Sequence, residues 1–330
     1  MFYNKIPDTD IEVSAITFGA WAIGGWLWGG TKEKDALESI DASLQHGITT
    51  IDTAPVYGFG YSEELVGKAI KGKRDKVQIL TKFGLRWDIA EGEFYFKTSG
   101  TNNQELDIYR CAKAKSIIEE CENSLKRLGT DYIDLYQIHW PDKTTPPEET
   151  FEAVNKLKEQ GKIRAIGVCN YDSELLSKAM KIAPVITNQV PYSMVQREIE
   201  NELVPFCLEN NKGIIAYSPL QRGLLTGKIT EDYTFNKGDH RASNPYFKTI
   251  NRSRVNTFLS SLDGMKNKYN CTTAQLIINW TLKQPAVIVA LVGARNTKQA
   301  EENASACAFE LEQTDIEEIN SKLEDLKLEL

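Results

Sequence analysis

Several features that mark other classes of protein are missing from this sequence of 330 residues. Its longest apolar stretches, such as residues 286–292, are far too short to span a lipid bilayer. The first residues lack the basic and apolar regions of a secretory signal, so we expect a cytoplasmic protein. The formal net charge is −7 and no basic run stands out, which argues against nucleic acid or a membrane as a partner.

The cysteines also lack the spacing of a disulfide framework or a zinc site. They form no CxxC pair and no histidine follows at a spacing that suits zinc; they are Cys111, Cys121, Cys169, Cys207, Cys271 and Cys307. We therefore expect reduced thiols, and no metal site is predicted.

What the sequence does contain is a regular alternation of two kinds of segment. Eight short apolar runs have the composition of buried strands, at residues 15–18, 48–51, 77–81, 133–139, 163–168, 186–190, 213–217 and 287–291. Segments with helical spacing and charged faces lie between them or follow the last, at residues 32–45, 62–71, 111–128, 147–160, 172–181, 198–210, 255–269 and 297–308. This alternation predicts an α/β fold with a parallel sheet, and eight repeats predict its closure into a (β/α)8 TIM barrel.

Additional elements are expected at both ends of the chain. Residues 1–13 suit a small β-hairpin that closes the floor of the barrel, and the segment from Thr314 suits an extra C-terminal helix outside it. A short helix is expected at 274–283. No linker divides the chain, so we interpret residues 1–330 as a single domain.

Titratable side chains follow three neighbouring strands of this barrel. Asp52 and Tyr57 follow the second strand, Lys82 ends the third and His139 ends the fourth. Each of the four also has a purely structural explanation. In the same order, these are a cap of a turn, packing at the rim, a lysine that reaches solvent and a histidine of the core. Active sites of such barrels lie at the C-terminal ends of the strands, and burying these groups unpaired would cost several kcal/mol each. We therefore interpret them as one cluster whose members satisfy one another.

A buried cluster of this composition has a specific chemistry. A phenol has a pKa of about 10, and a nearby ammonium lowers that pKa while a carboxylate keeps the ammonium charged. The sequence therefore predicts that Lys82 and Asp52 lower the pKa of Tyr57 and make it a proton donor. A neutral His139 would orient a substrate oxygen. Negative charge develops on such an oxygen when a hydride reduces a carbonyl group.

These four residues and their surroundings resemble the catalytic tetrad of the aldo-keto reductase superfamily. They stand in IDTAPVYGFG, ILTKFG and DLYQIHWPD, and further matches follow in family order: GKIRAIGVCNY, NQVPYS, GIIAYSPLQRGLLTGK and LVGARNTKQAEEN. The resemblance covers about residues 10–310 and is close to the bacterial general-stress members. It implies an NADPH-dependent reductase of aldehydes and ketones with Tyr57 as proton donor. These enzymes bind the cofactor on a barrel, so the incomplete glycine fingerprint at residues 58–63 is expected.

The resemblance also implies cofactor-binding roles. Asn170 and Gln189 resemble the side chains that hold the nicotinamide carboxamide, and Tyr217 resembles the residue that stacks on the nicotinamide ring. The loop that wraps the pyrophosphate corresponds to Ser218, Pro219, Leu220 and Gly223. The adenosine-binding segment corresponds to Gly293, Arg295, Gln299, Glu302 and Asn303.

The choice of NADPH rests on Arg295. The start of the last barrel helix should present free N–H groups suited to phosphate, and Arg295 beside it suits the 2′-phosphate of NADPH, with Lys298 in reserve. An ordinary exposed arginine near a helix cap is the alternative. Cys169 stands where many members have serine, which we expect to be a tolerated change because sulfur is a weak hydrogen-bond partner.

Four tryptophans follow the first and fourth strands. Trp21 and Trp140 are predicted to line the substrate pocket, whereas Trp26 and Trp28 suit a pocket wall and ordinary packing equally well. The two long connections at 84–110 and 218–250 should shape that pocket for a small-molecule carbonyl substrate. No apolar interface stripe is visible, which favours a monomer.

Two other functions are possible on this fold. One is a cofactor-sensing regulatory subunit like the channel β-subunits, whose N-terminal inactivation segment is missing here because the barrel begins almost at Met1. The other is a lyase that forms a Schiff base on Lys82, which pairing with Asp52 disfavours because a nucleophilic lysine needs a depressed pKa.

Overall fold

Eight parallel strands close into a barrel, as the alternation of apolar and amphipathic segments predicts. The computed structural model describes residues 1–27, 32–100, 104–235 and 239–330. In chain order its strands are β1 (Tyr3–Lys5), β2 (Glu12–Ser14), β3 (Ile16–Gly19), β4 (Thr50–Asp52), β5 (Gln78–Phe83), β6 (Leu85–Arg86), β7 (Glu93–Ser99), β8 (Glu105–Arg110), β9 (Ile133–Ile138), β10 (Ile163–Cys169), β11 (Val185–Pro191), β12 (Gly213–Tyr217) and β13 (Val287–Val292). Around the barrel the order is β3, β4, β5, β9, β10, β11, β12 and β13, and β13 pairs with β3. The predicted (β/α)8 fold is confirmed.

Helices surround this barrel. They are α1 (Glu33–Gln45), α2 (Tyr61–Ile70), α3 (Ala114–Leu128), α4 (Pro147–Glu159), α5 (Ser173–Met180), α6 (Leu203–Glu209), α7 (Thr249–Ser260), α8 (Asp263–Tyr269), α9 (Thr273–Leu282), α10 (Thr297–Ala304) and α11 (Gln313–Asp325). The extra C-terminal helix is α11, and its Asn320 accepts a hydrogen bond of 3.0 Å from the indole of Trp280 in α9. Within the described ranges, no helix has both the length and the apolar character needed to cross a membrane.

Two of the predicted helices have different boundaries in the structure. The segment 255–269 is divided between α7 and α8, because the chain turns at Ser261, whose hydroxyl donates to the carbonyl of Phe258 at 2.7 Å. The segment 198–210 forms a 3-10 turn and then α6. Pro205 explains this late start, since a residue without an amide hydrogen fits only near the first turn of a helix.

The N-terminal hairpin closes one end of the barrel, as predicted. β1 and β2 pair antiparallel, with Tyr3 opposite Ser14. Ile6 and Ile11 from the turn and Val13 from β2 are buried against side chains from barrel strands, which are Leu80, Leu135, Ala165, Ile186, Ile215, Val289 and Leu291. The floor is therefore filled by packed apolar side chains, and a site must lie at the opposite, C-terminal end of the strands.

The first long connection has a structure that the sequence does not predict. Residues 84–110 contain a three-stranded antiparallel sheet in the order β6, β8, β7, with Phe96 opposite Ile108. Leu85, Ile108 and Phe96 pack with residues that follow β3, β4 and β9. This sheet therefore forms a wall above the C-terminal end of the barrel.

The second long connection, 218–250, is held in place by α7. It contains 3-10 turns at Gln221–Thr226, His240–Ser243 and Pro245–Phe247. Polar side chains of α7 donate hydrogen bonds of 2.8–2.9 Å to its main-chain carbonyl oxygens: Arg252 to Thr230 and Tyr233, Asn256 to Ile229, and Asn251 to Pro245. These contacts fix the path of the loop by its backbone.

Candidate active site

The titratable side chains of three neighbouring strands meet at the open end of the barrel. Asp52 is the last residue of β4, Lys82 lies near the end of β5, and His139 follows β9. Tyr57 lies in the turn between β4 and α2, and its ring packs edge-on against His139 with centroids 5.7 Å apart. The structure thus brings together all four residues proposed from the sequence.

The turn that carries Tyr57 depends on a close contact between two glycines. Gly58 has a φ of +66°, and a Cβ atom placed there would lie 2.3 Å from the carbonyl oxygen of Gly24. A Cβ atom at Gly24 would in turn lie 2.9 Å from the carbonyl of Tyr57. Only glycine at both positions allows this approach, which fixes the backbone at Tyr57 against the segment after β3.

Lys82 and Asp52 form a buried ion pair. The Nζ atom of Lys82 donates to Oδ1 of Asp52 at 2.6 Å and to the carbonyl oxygen of Thr53 at 2.9 Å. Burial alone would lower the pKa of Lys82, but the charge of Asp52, together with the smaller contributions of neighbouring groups, outweighs that effect and raises the pKa above its ordinary value. Lys82 is therefore a charged donor and not a nucleophilic amine, which argues against the Schiff-base alternative.

The phenol of Tyr57 lies beside this ion pair, with Nζ of Lys82 at 5.0 Å from the centroid of its ring. Burial raises the pKa of Tyr57 to about 12, while the charge of Lys82 opposes this rise. The predicted net lowering of this pKa is therefore wrong in sign, because loss of hydration outweighs the attraction of the ammonium. Tyr57 is protonated at neutral pH, the state that a proton donor requires.

His139 is neutral under the same conditions. Burial, reinforced by the positive charge of Lys82, holds the pKa of His139 well below its usual value of 6.5. Its main-chain carbonyl accepts a hydrogen bond of 3.0 Å from the side chain of Asn170. A neutral imidazole next to a phenol can hydrogen-bond a substrate oxygen, as the sequence predicts.

Amide side chains from the next strands extend this cluster. Gln189 in β11 donates to Oδ2 of Asp52 at 2.8 Å, and the hydroxyl of Tyr217 donates to Oδ1 of Asn170 at 2.9 Å. Gln137 in β9 also reaches Oδ2 of Asp52, at 3.4 Å, which the sequence does not indicate. Burial raises the pKa of Cys169, so its thiol stays neutral beside these groups.

The residues assigned to the rest of the cofactor line the same cleft, which has a volume of about 530 Å³. From the loop after β12 they are Ser218, Pro219, Leu220 and Gly223, and from the end of β13 to α10 they are Gly293, Arg295, Gln299, Glu302 and Asn303. The amide groups at the start of α10 are less free than predicted. The side chain of Gln299 accepts the N–H of Arg295 at 2.8 Å, and that of Asn296 accepts the N–H of Gln299 at 3.0 Å.

Aromatic side chains form the wall of the cleft near Tyr57. Trp21 stacks on Tyr57 with centroids 6.1 Å apart, and both Trp21 and Trp140 line the cleft, as predicted for the pocket. Trp26 does so as well, and its indole donates to Thr98 in β7 at 3.0 Å. Trp28 lies outside the described residues. Tyr95 and Phe96 from β7 complete the wall and were not predicted; the alternating EFYFKT segment was the only signal for them.

The donor set of this cleft fits a nicotinamide nucleotide. Amides suited to a carboxamide lie beside the tetrad, the ring of Tyr217 follows, and an exposed Arg295 lies at the start of α10. In the described parts of the chain, no group of three or more His, Cys, Asp or Glu side chains is arranged to hold a metal ion. The site therefore has the groups for acid catalysis next to a groove for a dinucleotide.

Comparisons with known proteins give matches along almost the whole chain. Residues 15–324 match the model of the Aldo/keto reductase family. The aldo-keto reductase YhdN of Bacillus subtilis (strain 168) is 45% identical over 331 residues, which cover 98% of this chain and 94% of that protein. The NADH-specific methylglyoxal reductase of Escherichia coli (strain K12) is 38% identical over 320 residues, covering 94% and 96% respectively.

Solved structures with the same fold are also similar in sequence. The glycerol dehydrogenase AKR11B4 from Gluconobacter oxydans superposes with a TM-score of 0.88 at 36% identity, covering 98% of this chain and 95% of that chain. An aldo/keto reductase from Klebsiella pneumoniae, in complex with NADP and acetate, gives a TM-score of 0.69 at 29% identity, with coverage of 94% and 91%.

Proposed function

This chain belongs to the aldo/keto reductase family, and on that basis we propose that it reduces aldehydes and ketones to alcohols with NADPH, with Tyr57 as the proton donor. Membership of the family supports carbonyl reduction by an oxidoreductase. The preference for NADPH and the role of Tyr57 go beyond family membership and are proposed from the residues of the cleft.

The observation that carries the proposal is the arrangement of Tyr57, Lys82 and His139 at one end of the cleft. The phenol is protonated, the ammonium beside it is charged, and the imidazole is neutral. These three side chains place a neutral acid, a buried cation and a neutral hydrogen-bonding group next to one another. This combination suits the protonation of an oxygen that gains negative charge.

Each member of the cluster has a defined task in this mechanism. When bound, NADPH supplies a hydride from C4 of its nicotinamide. Tyr57 donates its hydroxyl proton to the carbonyl oxygen of the substrate, and His139 orients that oxygen by a hydrogen bond. Lys82 stabilises the phenolate that Tyr57 becomes, and its charge partly offsets the rise that burial causes in the pKa of Tyr57. Asp52 keeps Lys82 charged.

The remaining cleft residues would hold the cofactor. Asn170 and Gln189 would bind the carboxamide, and Tyr217 would present one face of its ring to the nicotinamide. The loop of Ser218 and Gly223 would follow the pyrophosphate, because both residues adopt a positive φ that opens the backbone there.

The preference for NADPH rests on Arg295. Its guanidinium forms no ion pair with a carboxylate of the described chain, is exposed, and lines the cleft at the start of α10. It is therefore available for the 2′-phosphate as a bidentate donor. One relative is named NADH-specific, whereas a similar solved structure contains NADP, so both cofactors belong in the assay.

The experiment is a panel of aldehydes and ketones assayed by the loss of NADPH absorbance, with NADH in parallel. Tyr57→Phe should lower turnover by about 10²–10⁴-fold or more, the contribution of a general acid, while the cofactor still binds by fluorescence titration. Tyr61→Phe is the matched control, since its hydroxyl contacts exposed Glu33 away from the cleft. Equal turnover by the two variants would sink the assigned role of Tyr57.

A further inference from the structure

Arg222 is a charged group of the cleft that the proposed reaction does not use. It lies in the turn after β12 with a left-handed backbone at φ 54°, and Nη1 of Arg241 donates to its carbonyl oxygen at 3.1 Å. Arg222 lines the cleft and also a neighbouring cavity of about 690 Å³. The guanidinium is therefore part of the boundary between the two spaces.

The guanidinium of Arg222 has no counter-ion among the residues that the structure describes. Within the described ranges it forms no salt bridge and no side-chain hydrogen bond, and the residues outside them (28–31, 101–103 and 236–238) include no acid. Arg241 on the same loop differs, because Asp239 pairs with it at 2.7 Å. Burial lowers the pKa of Arg222, with only Tyr217 opposing it, which shows that protein groups do not compensate its charge. A half-buried cation of this kind is stabilised when an external anion pairs with it.

The position of Arg222 relates it to the substrate end of the cleft. Its guanidinium lies over the ring of Trp21 at 5.9 Å from the centroid, and Trp21 in turn stacks on Tyr57 at 6.1 Å. Arg222 is thus separated from the proton donor by one aromatic ring.

The charges of the neighbouring cavity decide which side of Arg222 an anion would occupy. That cavity is lined by the carboxylates of Asp172, Glu198 and Glu202, which repel an anion. On the cleft side the lining includes two carboxylates: that of Asp52 is neutralised by Lys82, and that of Glu302 lies 3.8 Å from the ammonium of Lys228. An anion paired with Arg222 is therefore favoured on the side that faces Tyr57.

We propose that Arg222 binds an anionic group of the substrate, so that the preferred substrates are carbonyl compounds that carry a carboxylate or a phosphate. A guanidinium recognises either group through two parallel hydrogen bonds. This inference rests on the proposed function. The anionic group that pairs with Arg222 could instead be the pyrophosphate of the cofactor, and the experiment distinguishes substrate from cofactor.

The test compares 4-carboxybenzaldehyde with methyl 4-formylbenzoate, which differ in charge but share their shape around the carbonyl group. The wild-type enzyme should show the lower KM for the carboxylate. In Arg222→Gln the ratio of kcat/KM for the carboxylate to that for the ester should fall roughly 10- to 100-fold, the loss expected for a hydrogen-bonded charge pair. Arg222→Lys keeps the charge without the bidentate geometry and should give an intermediate ratio.

The outcomes separate this inference from the proposed function. If the wild type reduces both aldehydes without a lower KM for the carboxylate, or if Arg222→Gln leaves the ratio unchanged, the substrate role of Arg222 is overturned and the reductase activity stands. If Arg222→Gln weakens both substrates equally and raises the Kd of NADPH, Arg222 binds the cofactor instead. If the wild type reduces neither aldehyde with NADPH or NADH, both proposals fail. Should Arg222→Gln not fold, the wild-type comparison and Arg222→Lys still decide.

Discussion

Replacing Asp52 by Asn tests whether the charges of the buried ion pair depend on each other. Asparagine keeps the shape of the side chain but removes its charge, while Lys82 stays fully buried. The ammonium would keep the carbonyl oxygen of Thr53, at 2.9 Å, but would lose the carboxylate at 2.6 Å. The variant would therefore leave a buried cation without compensation.

The magnitude follows from the burial of both partners. Removing one partner of a buried ion pair costs about 3–5 kcal/mol, a large part of the roughly 5–15 kcal/mol that stabilises an ordinary domain. Asp52 also accepts a hydrogen bond of 2.8 Å from Gln189, which an amide would satisfy less well. We expect Asp52→Asn to lower the free energy of unfolding at pH 7 by about 3–5 kcal/mol.

The assay is urea denaturation followed by circular dichroism, with a double variant and a surface control. Asp52→Asn/Lys82→Met removes both charges and should be less destabilised than the sum of the single variants. Lys68→Met breaks the exposed pair with Glu33, whose atoms lie 2.8 Å apart, and should leave the urea midpoint nearly unchanged. Losses below about 1 kcal/mol in Asp52→Asn, or strict additivity in the double variant, would refute the reasoning.

The pH dependence of Asp52→Asn gives a second check. In the wild type, Asp52 raises the pKa of Lys82 against the effect of burial. Without that carboxylate, burial should lower the pKa of Lys82 in the folded state below its unfolded value. The stability lost in the variant should then be greatest at pH values below the pKa of Lys82 in the folded state. It should become smaller as the pH rises towards the pKa of Lys82 in the unfolded state, above which the lysine is neutral in both states. A loss that stays constant at alkaline pH would contradict this assignment.

Three further predictions concern single residues. Arg295→Ala should raise the Kd of NADPH about tenfold or more but leave that of NADH nearly unchanged, and an equal rise for both would remove the 2′-phosphate role. The pH profile of kcat/KM should show no inflection from His139 near 6.5, because burial and Lys82 hold its pKa well below that value; an inflection that disappears in His139→Gln would contradict this. Glu120 is a buried residue of α3 whose carboxylate accepts the N–H of Gly84 at 3.0 Å. Burial raises the pKa of Glu120 from 4.5 to about 8, so the stability of the wild type relative to Glu120→Gln should fall as the pH rises through this interval. Urea midpoints at either end of the interval measure this, and the opposite trend would reject the shift.

The barrel and the tetrad could be predicted from the sequence for simple physical reasons. Strands covered on both faces are apolar along their length, so runs such as 287–291 stand out from the amphipathic helices around them. The ends of adjacent parallel strands lie at one edge of the sheet, so Asp52, Lys82 and His139 meet once the strand order is known. The roles assigned to the cofactor residues remain predictions.

Other features depend on the path of the chain in space. The strands of the sheet at 84–110 are half-exposed, so their sequence gives only a weak alternation. Arg222 reaches Trp21 because the turn after β12 is left-handed at several successive residues, which no sequence pattern indicates. The sign of the pKa shift of Tyr57 depends on a balance between burial and the charge of Lys82, and this balance requires distances.

The way in which α7 holds the second long connection has a consequence for the diversification of this protein. Arg252, Asn256 and Asn251 donate to main-chain oxygens of the loop, and the guanidinium of Arg252 also lies 5.8 Å from the ring centroid of Phe235. Every amino acid offers the same main-chain oxygen, whatever its side chain. Substitutions in the loop can therefore alter the lining of the cleft while these hydrogen bonds to α7 are kept. Tyr233 lines the cleft and its carbonyl accepts from Arg252, so a substitution there would keep this main-chain bond but lose the packing of its ring on Phe235. New specificities can therefore arise by exchange at the loop, whereas α7 itself is constrained to keep its polar face.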